Sequence, residues 1–122
     1  HAFHLEFAER QLAQLNGNVV RRLEGALLDV LEPGPRDVDA MAQVLAMSTR
    51  TLQRRLSEAG ASYKTVLDSV RKRVALDRLN ESGVPIQEVA RQAGFDDYSA
   101  FYRSFRRWTG TSPAGWRRSQ GN

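Results

Sequence analysis

One short pattern is written twice in this chain of 122 residues. Val38, Met41, Ala42, Leu45 and Ala46 recur as Ile86, Val89, Ala90, Ala93 and Gly94, at an offset of 48. Leu52, Arg54 and Leu56 recur as Phe101, Arg103 and Phe105, at an offset of 49. The second copy therefore carries one extra residue in its turn. In each copy a short helix with small or apolar residues at helical spacing is followed by a turn and a second helix. Asp37 and Ser48 cap the helices of the first copy, and Asp96 or Asp97 caps the last helix of the second, because a short polar side chain accepts the free N–H groups of a first turn. The second helix of the first copy turns Leu52, Leu56 and Ala59 inward and Arg50, Gln53, Arg54 and Ser57 outward. Its counterpart carries Phe101, Phe105 and Trp108 at i, i+4 and i+7, opposite Ser99, Tyr102, Arg103 and Arg106. This is a helix-turn-helix, a unit that places its second helix in a DNA major groove. Two copies in one chain are hard to obtain by accident.

The flanking segments supply the frame. Residues 1–17 read as helical but weakly placed, with Leu5, Leu12 and Leu15 available to pack on a neighbour. Asn18 is placed to cap a helix running to about Leu31, with Val19, Val20, Leu23, Leu27, Val30 and Leu31 as its buried stripe. Pro33, Gly34 and Pro35 end it. Between the two copies the sequence predicts a long helix over 62–82. Ser62 caps it, Tyr63, Leu67, Val70, Val74, Leu76 and Leu79 line it, and Gly83 ends it before Pro85 opens the next. About 20 residues at ~1.5 Å each span ~30 Å. Successive major-groove faces on one side of a duplex lie ~34 Å apart, so a rigid connector of that length suits two recognition helices. Ser112 and Pro113 open a last short helix, whose Trp116 folds back onto the second lobe. Arg117 and Arg118 either reach phosphates or are solvated tail charge.

The expected fold is all-α, with two helix-turn-helix lobes joined by a long linker helix and about seven helices in total. Its divisions are a tail or connection over 1–17, a first lobe over 18–60, the linker over 61–83 and a second lobe over 84–118.

Charge distribution agrees with a polyanionic partner. The chain has 18 basic and 14 acidic residues, a net charge of +4. Residues 1–39 hold 4 basic and 7 acidic residues, net −3, whereas residues 40–122 hold 14 and 7, net +7. Sixteen of the basic residues are Arg and two are Lys. Arginine suits phosphate and guanine because its planar fork bonds both bidentately. The bland reading is an Arg-rich solvated face. Cysteine is absent, which excludes disulfides, zinc fingers and thiol catalysis. His1 and His4 have helical spacing, but no carboxylate supports them, so no metal site is expected. No acidic pair has a partner base nearby, so no catalytic residue and no cofactor is expected; Asp96 and Asp97 are better explained as caps. No apolar run approaches the ~18 residues that span a bilayer. A cytoplasmic protein without a membrane partner is expected.

These motifs resemble those of the AraC/XylS family of bacterial transcription regulators. The second copy matches the family signature at Ala90, Gly94, Phe95, Asp97, Ser99, Phe101, Arg103, Phe105, Arg107, Gly110, Ser112, Pro113 and Arg117. Ala42, Met47, Ser48, Arg50, Leu52, Arg54, Leu56 and Gly60 resemble its less regular first half, and Arg71, Ala75 and Leu79 its connecting helix. Tyr98 departs from the pattern, standing where a small polar residue is usual. The resemblance covers residues 19–118. It implies double-stranded DNA as partner, base reading by Arg50, Gln53 and Arg54 in one lobe and by Ser99, Tyr102, Arg103 and Arg106 in the other, and phosphate contact by Ser48, Lys64, Arg107 and Ser112. It further implies a domain that recruits RNA polymerase, usually as an activator, beside a domain absent here that binds a small-molecule effector. Leu52, Leu56, Phe101, Phe105, Trp108 and Trp116 are read as core rather than stacking platforms. The competing reading is a helical protein-interaction module whose Arg-rich faces bind an acidic partner; two polar faces disfavour it, since partner grooves usually take apolar anchors.

Overall fold

The computed structural model describes residues 2–32, 34, 37–81 and 83–120, with backbone alone for 2–5 and 12–14. Among these there are seven helices and no strand: α1 (Ala2–Val30), α2 (Val38–Val44), α3 (Thr49–Glu58), α4 (Tyr63–Leu79), α5 (Ile86–Gln92), α6 (Tyr98–Thr109) and α7 (Pro113–Ser119). His1, the side chains of His4, Leu5 and Leu12, and Pro33 and Pro35 lie outside the described residues. The fold is all-α, as expected. It divides into two compact units, His1–Leu28 with Arg36–Leu67, and Asp29–Pro35 with Asp68–Asn122.

In the first unit, α1 corrects an expectation. Asn18 caps nothing; it lies exposed inside one continuous helix of 29 residues. The buried face runs through Asn16, Val19, Leu23 and Leu27 at i, i+3 and i+4 steps without a change of phase. Asn16 donates from Nδ2 to Glu58 Oε2 at 3.2 Å, an anchor that a break at Gly17 would release. A mid-helix glycine costs only ~1 kcal/mol relative to alanine, which such packing offsets. Val20 and Val30 are half-buried, and Leu15 is exposed. Helices α2 and α3 bury Met41, Ala42, Leu45, Leu52 and Leu56, while Ala59 proves exposed at the end of α3.

In the second unit, Phe101 and Phe105 of α6 are buried with Val89 and Ala90 of α5, Ala93 just past its end, and Ala75 and Leu79 of α4. Trp108 and Trp116 flank this core half-buried, and the Trp116 ring meets Phe105 edge-on at 6.3 Å. Phe101 and Phe105 are core, as the sequence indicated, and Trp108 and Trp116 pack against it.

The linker helix α4 has 17 residues, fewer than expected, and ends at Leu79 rather than near Gly83. Its last carbonyl is taken by a side chain: Arg117 donates from Nε to Leu79 O at 3.0 Å and from its guanidinium to Glu81 O, just beyond the helix, at 3.3 Å. Arg117 is thus not a free tail charge but a closing group of α4. Its start is capped as expected, with Ser62 Oγ accepting from Thr65 N at 3.1 Å and Thr65 Oγ1 accepting from Ser62 N at 2.9 Å. The buried positions are Val66, Val70, Ala75 and Leu79, with Tyr63, Leu67, Val74 and Leu76 only half-buried. Residues 63–67 serve one unit and 68–79 the other, so no single stripe runs the length of the helix.

Candidate nucleic-acid interface

Each copy of the repeat is a helix, a turn and a helix, and the turns differ by one residue as the sequence predicted. Residues 45–48 separate α2 from α3, and residues 93–97 separate α5 from α6. Both first helices end alike. Ala46 N bonds Gln43 O and Met47 N bonds Ala42 O; Gly94 N bonds Arg91 O and Phe95 N bonds Ala90 O. This ending needs a left-handed residue just past the cap. Gly94 supplies it at φ 89°, and Ala46 supplies it at φ 59° against the preference of an L side chain.

The second helices are then started by side-chain caps. Ser48 Oγ accepts from Thr51 N at 3.0 Å, and Asp97 Oδ1 accepts from Ala100 N at 2.7 Å. The capping hydrogen bond is made by Asp97, so the choice between the two carboxylates falls on it. With Leu52 and Leu56, or Phe101 and Phe105, locked inward, helical geometry sends the opposite stripe to solvent. Arg50, Gln53 and Arg54 are exposed on α3, and Ser99, Tyr102, Arg103 and Arg106 on α6. Among the described residues Arg50, Arg103 and Arg106 make no hydrogen bond or ion pair, so their guanidinium forks are unengaged. Arg54 lies 3.7 Å from Glu58, an exposed contact one turn along α3; such pairs contribute at most ~0.5 kcal/mol and are readily exchanged.

The four residues assigned to phosphate differ among themselves. Lys64 is exposed near the start of α4. Arg107 is bound to Asp68 Oδ1 at 3.0 Å. The Ser48 hydroxyl is committed twice, since it also donates to Thr51 Oγ1 at 2.9 Å. The Ser112 hydroxyl accepts from Gly115 N at 3.0 Å.

Two arginines act as positioning residues; the sequence pointed to Arg71 only as part of the connecting helix and to Arg22 not at all. Arg22 of α1 donates to Leu45 O at 2.9 Å, at the turn of the first motif. Arg71 of α4 donates to Gly94 O at 3.3 Å, at the turn of the second, with its guanidinium 4.6 Å from the centre of the Phe95 ring. Arg22 and Arg71 stand 49 residues apart, and buried Leu27 and Ala75 stand 48 apart. The repeat therefore includes the helix before each motif. The offset of 48 carried backward from the first helices pairs Arg71 with Leu23 rather than with Arg22, so the spacing alone does not reveal the matched arginines.

The helix-turn-helix domain family model matches residues 41–119, which takes in both motifs and α4 between them. The chain belongs to the AraC/XylS family. Among curated relatives, the ornithine utilization regulator of Pseudomonas aeruginosa is 39% identical over 92% of this chain and 39% of its own length. The regulator VqsM of the same species is 33% identical over 84% of this chain and 31% of its own. Among solved structures, a DNA-binding transcriptional dual regulator from Escherichia coli K-12 matches with a TM-score of 0.78 at 25% identity, over 83% of this chain and 90% of that one. The DNA-binding domain of AdpA, solved in complex with a target DNA, matches with a TM-score of 0.71 at 32% identity, over 82% and 90%. This chain spans between about a fifth and two-fifths of the length of such curated relatives, from 22% to 39%. Among the described residues no group of His, Cys, Asp and Glu is arranged to hold a metal, and no helix is long and apolar enough to cross a membrane.

Proposed function

We propose that this chain is the DNA-binding domain of a transcription regulator and that it reads two adjacent major-groove segments of double-stranded DNA with α3 and α6. The observation that carries the reading is the pairing, in each copy, of a fully buried apolar face with an exposed face of unengaged guanidinium groups at Arg50, Arg103 and Arg106. The likeness to the AdpA domain, whose structure holds target DNA, supports it. In this reading Arg50, Gln53 and Arg54, and Ser99, Tyr102, Arg103 and Arg106, meet base edges, with arginine forked on guanine O6 and N7 and glutamine on adenine. Lys64 and the helix starts at Ser48 and Ser112 meet phosphates and fix the register without specifying sequence. Arg107 joins them by exchanging Asp68 for a phosphate oxygen. The domain acts by binding in the cytoplasm. In the full-length regulator its further partners are RNA polymerase and a small-molecule effector held by another domain.

Selection of bound duplexes from a random pool, followed by affinity measurement across a salt series, tests this. The expected result is an enriched site with two elements spaced by about one helical turn, ~10 base pairs, and an affinity that falls steeply with salt. No enriched sequence, or an affinity indifferent to salt, overturns it.

A further inference from the structure

The basic stripe of α6 is bordered by an apolar ledge. Tyr98 is the first residue of the helix after its Asp97 cap, and Tyr102 follows one turn later. They are 37% and 36% exposed, large apolar side chains left at the surface beside Ser99 and Arg103. Neither ring is loose. Tyr98 leans on Tyr102 with centroids 6.3 Å apart and on the fully buried Phe101 at 6.0 Å. A braced aromatic ring presents contact area at little further cost in conformational entropy. In a helix-turn-helix the first turns of the recognition helix face the base edges. The one apolar group displayed in a B-DNA major groove by unmodified bases is the C5-methyl of thymine.

We propose that the Tyr98 and Tyr102 ledge makes α6 selective for the 5-methyl group of thymine at the base step beside the one read by Arg103. The inference rests on the DNA-binding reading above and deepens it. Arg103 supplies hydrogen bonds to an adjacent purine, and the two rings supply apolar contact that cytosine cannot return. The same methyl occurs on 5-methylcytosine, so the chemistry recognised is a 5-methylpyrimidine edge, with thymine as its ordinary source.

The test uses the enriched site and the wild-type chain first. Each thymine is replaced singly by deoxyuridine, which removes only the methyl group. One or two positions are expected to weaken binding about fourfold, the worth of one buried methyl. At those positions Tyr98→Ala and Tyr102→Ala are expected to bind thymine and uracil equally, whereas Tyr98→Phe keeps the preference because the ring and not the hydroxyl carries it. Cytosine is expected to bind more tightly at that position once methylated at C5. The proposal is overturned if no uracil substitution weakens the wild type more than twofold, if both alanine variants retain the penalty, or if Tyr98→Phe loses it. A failure of the underlying reading looks different: no site is enriched, or salt has no effect. The wild-type comparison requires no variant to fold, and the alanine variants are checked by their retained salt dependence.

Discussion

Trp108 donates its indole N–H to Asp68 Oδ2 at 3.0 Å, tying the last turn of α6 to α4. The other oxygen of the same carboxylate accepts from Arg107 at 3.0 Å. Asp68 thus fixes one end of the second recognition helix while Asp97 caps the other. Hydrogen bonds to a charged group contribute ~1.5–3 kcal/mol when half-buried, whereas an exposed ion pair contributes ~0–1 kcal/mol. Asp68→Ala is expected to lower unfolding free energy by ~1–2 kcal/mol and Arg107→Ala by less than ~1 kcal/mol. Urea denaturation followed by tryptophan fluorescence checks this. Equal losses in the two variants would mean that the ion pair, and not the indole, is the stabilising contact.

Gly94 and Ala46 occupy the same place in the two motifs, and opposite substitutions there should have opposite signs. A Cβ at Gly94 would lie 3.1 Å from both Leu31 O and Leu31 Cγ, on a backbone already at φ +89°. Gly94→Ala is expected to cost at least ~2 kcal/mol, from ~1–2 kcal/mol of left-handed strain and the added clash with a carbonyl. Ala46→Gly relieves strain of the same kind but frees the unfolded chain by ~0.4–1 kcal/mol. The expected net effect is neutral to ~1 kcal/mol stabilising. Thermal melting of both variants against wild type measures it.

The repeat itself was legible because it rests on local rules: caps, apolar spacing and the residue past a helix end. Ser48 and Ser112 cap where the sequence placed them, and Asp97 is one of the two carboxylates it offered for α6. What was not legible depends on partners distant in the chain. Asn18 has the chemistry of a cap, but the buried contact of Asn16 with Glu58, 42 residues away, keeps the helix continuous through it. Arg117 looks like one more basic residue until Leu79 O is seen 3.0 Å from its Nε. Val66 was missed because a helix shared by two units does not keep one stripe. Within the candidate interface, exposure of the α3 and α6 stripes followed from helical periodicity, while the engagement of Arg107 by Asp68 could not.

Arg91 of α5 bonds Glu88 one turn back and also reaches Glu32. The hydrogen bond from Arg91 holds the Glu88 carboxyl below the usual carboxylate range, with a smaller contribution from Gln92, against the opposing pull of desolvation. A depressed folded-state value stabilises the fold above the unfolded-state value, and that contribution is lost as pH falls through the folded one. Stability is therefore expected to drop on acidification into the carboxylate range. Glu88→Gln is expected to remove part of that drop while leaving the neutral-to-alkaline limb unchanged. Denaturation midpoints at a series of pH values would show it; identical acid limbs in the two proteins would exclude Glu88 as a contributor.

Arg103 and Lys64 separate reading from gripping. Arg103 is exposed and unengaged on the outer face of α6, whereas Lys64 is exposed on the first turn of α4, on no recognition helix. A bidentate arginine is worth ~1–3 kcal/mol of discrimination between bases. A phosphate contact instead releases counterions and favours all sequences alike. Arg103→Ala is therefore expected to weaken binding to the enriched site by about 5- to 150-fold while changing affinity for random duplex far less. Lys64→Ala is expected to weaken both by a similar factor and to lower the salt slope by about one. Parallel titrations on enriched and random duplexes at several salt concentrations distinguish the two. An equal loss on both DNAs for Arg103→Ala would make that side chain another phosphate contact, and would leave Ser99, Tyr102 and Arg106 to carry whatever sequence preference α6 has.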